Sequence, residues 1–314
     1  MREANSWHTP QPRLRSSIRP PSLRALDYLE VGLTLASVDG TERSATLFAH
    51  DEPRASIVIS NAYGVPARFY GAFARELAGR GFAVLTHDYR GVGDDLARLR
   101  ASRARMQDIP EHDLPEAISH MRTLYPQNPV ILIGHSFGGH AVELMPGNDT
   151  VDGIVMVAAH AGYWWNERVR RNPFLRLWLG TAVPTIGRVL GYVPGKSVGF
   201  TWSIATTMWA QWARWIAMPG YFFDDPKLGA GERAARIVAP TLVIHVSDDE
   251  WASEAAMHRM VADFPHADVT QKIIVPSDFA LPSIEHLGLF RPQNAATWPI
   301  IFDYVEAIAT KSRA

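Results

Sequence analysis

Two rhythms of apolar and polar positions alternate along this chain. Short apolar runs rich in Val and Ile occupy Ala55–Asn61, Phe82–Thr86, Val130–Ile133, Gly153–Ala159, Pro240–Val246 and Val269–Val275. Uninterrupted runs of this kind suit strands buried on both faces. Between them, Phe69–Arg80, Leu114–Leu124, Ser136–Leu144, Ala252–Phe264 and Thr297–Ala309 read as helices, with Gly81 in the C-cap role of the first. Ahead of all these, Leu29–Leu35 and Ala45–Ala49 read as strands joined at Asp39-Gly40, a hairpin signal. Strands alternating with helices predict an α/β fold: a mostly parallel, doubly wound sheet, with the hairpin adding antiparallel edge strands.

One segment breaks this rhythm. From His160 to about Arg236 there is no convincing buried strand, and seven of the ten tryptophans fall there, which predicts a helical cap inserted after the sixth strand. The expected division is a core of residues 26–159 and 237–314, a cap of 160–236, and an N-terminal arm of 1–25. The arm carries Arg2, Arg13, Arg15, Arg19 and Arg24 among prolines and has no apolar h-region, so it is a poor secretory signal. Trp202, Trp209 and Trp212 lie near one helical face, and Trp215 follows three residues later. Most of these aromatics are expected to pack the cap onto the sheet. His160, Tyr163, Trp164, Trp212 and Trp215 are the expected pocket residues, because aromatic walls suit a largely apolar small molecule.

Composition removes several function classes. The formal net charge is −1, so no global field recruits nucleic acid or an anionic membrane. No apolar run reaches the length of a membrane span, and a cytoplasmic protein without stable membrane insertion is expected. Cysteine is absent, which excludes disulfides, thiolate metal sites and a cysteine nucleophile. Composition leaves the oligomeric state open.

The chemistry centres on Gly134-His135-Ser136-Phe137-Gly138, which follows a buried strand and precedes a helix. That is the G-x-S-x-G pattern of a nucleophile elbow, a sharp strand-to-helix turn with serine at its tip. Alone it is weak, since roughly one chain in ten of this length carries it by chance. A serine hydroxyl also needs a base, and the base needs an acid to orient it. In elbow folds the chain order is Ser, acid, His. The acid belongs after the strand that follows the cap, where Ser247-Asp248-Asp249-Glu250 stands; Asp249 is favoured over Asp248, with the other aspartate left as a turn or cap residue. The base belongs after the last strand, where Ile284-Glu285-His286-Leu287-Gly288 supplies His286. His258 lies within a helix and His266 in a loop before the last strand, so neither has the right place. His135 is expected to pack beside the elbow and His140 along its helix. Two backbone donors should hold an oxyanion: the N–H of Phe137, and that of Tyr63 in Asn61-Ala62-Tyr63-Gly64-Val65-Pro66, with Ala62 and Gly64 as alternates.

On these motifs the chain resembles the α/β-hydrolase superfamily over about Leu26 to Ala309. It departs where the loop Asp88-Tyr89-Arg90-Gly91-Val92-Gly93 would reach a Ser or Thr and has Asp95, and where the usual His-Gly of the oxyanion loop is Asn61-Ala62. It is also similar to a bacterial group of predicted hydrolases in the words Gly162-Tyr163-Trp164, Trp212-Ala213-Arg214-Trp215, Asp248-Asp249-Glu250-Trp251 and Gly288-Leu289-Phe290-Arg291. The resemblance implies a serine hydrolase without cofactor or metal; the leading expectation for its reaction is cleavage of a carboxylic ester, with a thioester or an amide as alternatives. It does not imply a particular acyl substrate. An acyltransferase would use the same three residues; its support is a loose resemblance of Asn61-Ala62-Tyr63-Gly64 to the loop of homoserine acetyltransferases. A binding protein on the same fold would need none of the three.

Overall fold

The computed structural model describes residues 28–160 and 172–312. The expected N-terminal arm, and Tyr163 and Trp164 of the expected pocket, lie outside them. Eight strands form one sheet: β1 (Tyr28–Ala36), β2 (Glu42–His50), β3 (Ser56–Ser60), β4 (Ala83–His87), β5 (Val130–His135), β6 (Gly153–Val157), β7 (Thr241–Val246) and β8 (Val269–Ile274). Their spatial order is β1-β2-β4-β3-β5-β6-β7-β8. The β1–β2 and β2–β4 pairs are antiparallel; every later pair is parallel. The hairpin turns at Gly40, whose φ of +79° only glycine adopts without strain.

Apolar side chains on both sheet faces explain the uninterrupted runs. Ile57, Ile59, Ile131 and Ile133 point to one face, where Phe73 and Leu77 of helix α1 (Gly71–Gly79) and Phe302 of the closing helix pack. Val58, Val130 and Leu132 point to the other, against Ile118 and Met121 of α2 (Leu114–Leu124) and Val142 of α3 (Phe137–Leu144). Both layers are apolar, so β3 and β5 are buried along their whole length.

The cap region differs from the expected all-helical insertion. It contains α4 (Thr206–Ile216) and shorter helices, but also the strands Tyr192–Val193 and Ser203–Ala205. These pair antiparallel with each other and, through Ser203–Ala205, with Val92–Gly93 of the loop after β4. Strands of two or three residues are too short to show a period, but they stitch the cap to the core loop. On that loop, Arg90 is held by the fully buried Asp113 through Nε (2.6 Å) and through its own N–H (2.9 Å). Asp95 caps the following helix by accepting the N–H groups of Ala97 and Arg98, the role a Ser or Thr would play there. Among the described residues no helix is long and apolar enough to cross a membrane.

Candidate active site

Ser136 sits where β5 ends and α3 begins, with φ 51° and ψ −118°. A non-glycine residue there is strained, and the surroundings over-determine it. Its N–H donates to the carbonyl of Val157 on β6 at 2.8 Å. The two flanking glycines are required by contact. A Cβ on Gly138 would lie 2.0 Å from the carbonyl oxygen of Ser60, and one on Gly134 2.6 Å from the backbone of Gly138 and Gly139. The turn therefore closes only because β3 and α3 can approach as bare backbone.

His286 Nε2 lies 2.9 Å from Ser136 Oγ, and its Nδ1 lies 2.7 Å from Asp249 Oδ2. The other Asp249 oxygen accepts the N–H groups of Trp251 (2.8 Å) and Ala252 (3.0 Å). Burial pushes the Asp249 carboxyl up, but the hydrogen bond and charge of His286 and these two N–H groups outweigh it and hold the carboxyl below its usual range. Asp249 is thus an anion with all its bonds directed. Asp248 instead accepts the N–H groups of Ile284 (2.9 Å) and Glu285 (3.0 Å), capping the turn that carries His286 rather than the helix after Trp251. That later helix begins at Glu254 and is capped by Ser253. A hydroxyl, an imidazole and a carboxylate in this order can pass a proton from Oγ to Nε2 while the carboxylate stabilises the resulting cation.

The loop after β3 faces Ser136 from the other side. Asn61 stands where histidine is usual and braces the loop, its Nδ2 donating to the carbonyl of His87 at 2.8 Å. Tyr89 donates its hydroxyl to the carbonyl of Asn61 at 2.9 Å. The N–H of Ala62 is taken by the Tyr70 hydroxyl at 2.8 Å, so Ala62 is removed as an oxyanion donor. The N–H groups of Tyr63 and Phe137 have no acceptor among the described residues. Gly64 has φ +71° and lies under Phe200 of the cap, and its carbonyl accepts the N–H of Trp202 at 3.1 Å.

Above Ser136 and His286 lies a cavity of about 170 Å³. Its walls include Tyr63, Phe137, Leu179, Phe200, Trp212 and Ile216, and no Lys, Arg, Asp or Glu lines it among the described residues. His160 lines it as expected, its ring 6.2 Å from that of His286. Trp212 does too. Trp215 does not: it is fully buried, packed on Tyr221 with ring centroids 6.2 Å apart and donating its indole N–H to Asp225 at 2.9 Å. Three positions separate Trp212 from Trp215, so their side chains leave α4 only about 60° apart, and the indole bond to Asp225 turns Trp215 into the interior.

Sequence reasoning missed His140, Tyr221 and Trp251 as cavity residues. His140 is four positions after Ser136, so both share one helix face, a signal available in the sequence. Its Nδ1 lies 3.2 Å from Glu143 Oε1. Tyr221 comes from the loop after α4 and carries no such signal. Asp108, Glu111 and His112 are close enough to share a metal ion, but none lines this cavity, and Arg105 and Gln107 already engage the two acids.

Known proteins share this architecture. Residues 51–202 match the family described as "Serine aminopeptidase, S33". An esterase from Thermogutta terrifontis is similar at 16% identity, covering 90% of this chain and 99% of its own, with a TM-score of 0.56. A monoacylglycerol lipase from Paleococcus ferrophilus is similar at 16% identity, with 85% and 100% coverage and a TM-score of 0.56. A thermostable carboxyl esterase from Bacillus coagulans is similar at 13% identity, with 91% and 100% coverage and a TM-score of 0.57.

Proposed function

We propose that this chain, which has the α/β-hydrolase fold, is a serine hydrolase that cleaves a carboxylic ester of a neutral, largely apolar small molecule. The observation that carries the reading is the unbroken line from Ser136 Oγ through His286 to Asp249, with Ser136 and His286 lining one cavity. In this reading His286 Nε2 takes the Oγ proton as Oγ bonds to the carbonyl carbon. The carbonyl oxygen becomes an oxyanion, held by the N–H groups of Phe137 and Tyr63. Collapse breaks the ester C–O bond, and His286 returns the proton to the departing alcohol. Water, deprotonated by His286, then attacks the acyl-enzyme and restores Ser136. Asp249 holds the imidazole and stabilises its cationic form throughout.

The cavity supports the substrate class. Its aromatic and aliphatic walls favour a hydrocarbon acyl or alcohol group. A charged group would be desolvated with no counter-ion among the described lining residues. Esters are favoured over amides because similar folds include proteins described as esterases and a monoacylglycerol lipase.

Hydrolysis of p-nitrophenyl esters of graded acyl length tests the reading. The expected result is turnover by the intact protein that falls by at least ~10³-fold in Ser136→Ala. Retained turnover in that variant would refute the mechanism. Added alcohols and amines that divert most of the acyl group from water would turn the reading to acyl transfer.

A further inference from the structure

We propose that Tyr70 and His135 are positioning residues that tie the oxyanion loop to the His286 loop across the strand carrying the nucleophile. The proposal rests on the serine-hydrolase reading above and gives a role to two buried side chains that touch no substrate.

Three hydrogen bonds run in series. The Ala62 N–H donates to Tyr70 Oη at 2.8 Å. Tyr70 Oη lies 2.8 Å from His135 Nδ1. His135 Nε2 lies 2.9 Å from the backbone carbonyl of His286. Tyr70 and His135 have no exposed surface.

The end of the series assigns every proton. A backbone carbonyl only accepts, so His135 Nε2 carries hydrogen and donates to His286. A neutral imidazole then has an acceptor at Nδ1, which receives the Tyr70 hydroxyl proton. Tyr70 Oη in turn accepts from Ala62. Each group is satisfied once and in one direction, so the network has a single arrangement. A cationic His135 would break it, because Nδ1 and Ala62 would both donate to an oxygen whose own proton had lost its acceptor. Burial, then the nearby His286, lower the His135 pKa to about 3, so the neutral form persists. Phe290 packs on both rings, at 4.9 Å from His135 and 5.1 Å from Tyr70.

Ala62 precedes Tyr63, whose N–H is the proposed oxyanion donor, and His135 precedes Ser136. The series therefore sets the oxyanion donor and the His286 backbone from one rigid reference, beside the nucleophile. Such a device matters most when charge develops, because donor placement within a few tenths of an ångström governs oxyanion stabilisation.

Two measurements on the full chain test this. In ¹⁵N-histidine NMR, His135 should show the neutral Nε2–H tautomer without titrating between pH 5 and pH 8; the Nδ1–H tautomer, or titration near the ordinary histidine value, overturns the proposal. In kinetics with p-nitrophenyl acetate, Tyr70→Phe should lower kcat by at least ~10-fold while KM changes less than ~3-fold. It should also weaken a trifluoromethyl ketone, which forms an oxyanion on Ser136, by a similar factor. Wild-type kcat in Tyr70→Phe, with Ser136→Ala inactive, overturns this proposal alone. An active Ser136→Ala overturns the hydrolase reading and this proposal with it.

Discussion

Asp248 accepts the N–H of Glu285 at 3.0 Å, one residue before His286, while its neighbour Asp249 binds the His286 ring. Two adjacent carboxylates thus hold one histidine, Asp248 through the backbone of the two residues before it and Asp249 through its ring. Glu285 has a φ of 61°, a costly conformation for a non-glycine residue, and Asp248 bridges it to β7. The two aspartates should separate in function. Asp249→Asn should lower kcat by roughly 10³–10⁴-fold with little change in melting temperature, because the imidazole loses its orienting anion. Asp248→Ala should cost about 1 kcal/mol of stability and lower kcat far less. Steady-state kinetics and thermal melts on both variants make the comparison; equal losses of activity would refute the division.

Gly138 meets the carbonyl of Ser60, the residue that leads into the loop holding Tyr63, the proposed oxyanion donor. Gly138→Ala must push β3 and α3 apart, since neither contacting atom is a flexible side-chain end. It should cost about 2–4 kcal/mol. Surviving folded protein should lose activity as well, because the displaced loop carries the Tyr63 N–H. Gly231→Ala is the control: a Cβ there meets nothing within 4 Å. Urea unfolding with an ester assay reads both effects, and a Gly138→Ala variant as stable and active as Gly231→Ala would contradict the close approach.

Asp263 adds a pH dependence to stability. Burial, then the neighbouring Glu143, raise its carboxyl pKa to about 6 against the opposing effects of Arg259 and His140. An acid whose folded pKa lies above its unfolded value of 3.8 imposes no penalty below that unfolded value. As pH rises from about 4 to about 6 the unfolded chain ionises first, and stability falls; above about 6 the loss is complete. Asp263→Asn should therefore melt at the wild-type temperature near pH 4 and at a higher temperature at pH 7 to 8. Solvent reaches this half-buried group, so the gain should be modest. A variant with the same offset at every pH would rule out titration as the cause.

Much of this architecture is legible in the sequence for a physical reason. Runs such as Ile57–Ile59 and Val130–Ile133 are apolar on every residue because helices cover both faces of the sheet. The order Ser136, Asp249, His286 is readable because each follows a core strand, and strand ends on one sheet edge share a neighbourhood. What stays hidden depends on contacts without local pattern. Ser203–Ala205 is too short to have a period and exists because Val92 offers it an edge. Trp212 and Trp215 look alike until Asp225 captures one of them. Asp248 and Asp249 differ only in what the chain brings to each from 36 and 37 residues away. Tyr70 and His135 are 65 residues apart, and nothing in either neighbourhood announces the other.

That Ser136 is a nucleophile activated by His286 is tested most directly by treating the full chain with a fluorophosphonate and mapping the adduct by mass spectrometry. The expected result is one adduct per chain, on the peptide holding Ser136, formed at least ~10²-fold more slowly in a folded His286→Ala variant. Folded wild-type protein that stays unmodified, or that carries the adduct elsewhere, would contradict it.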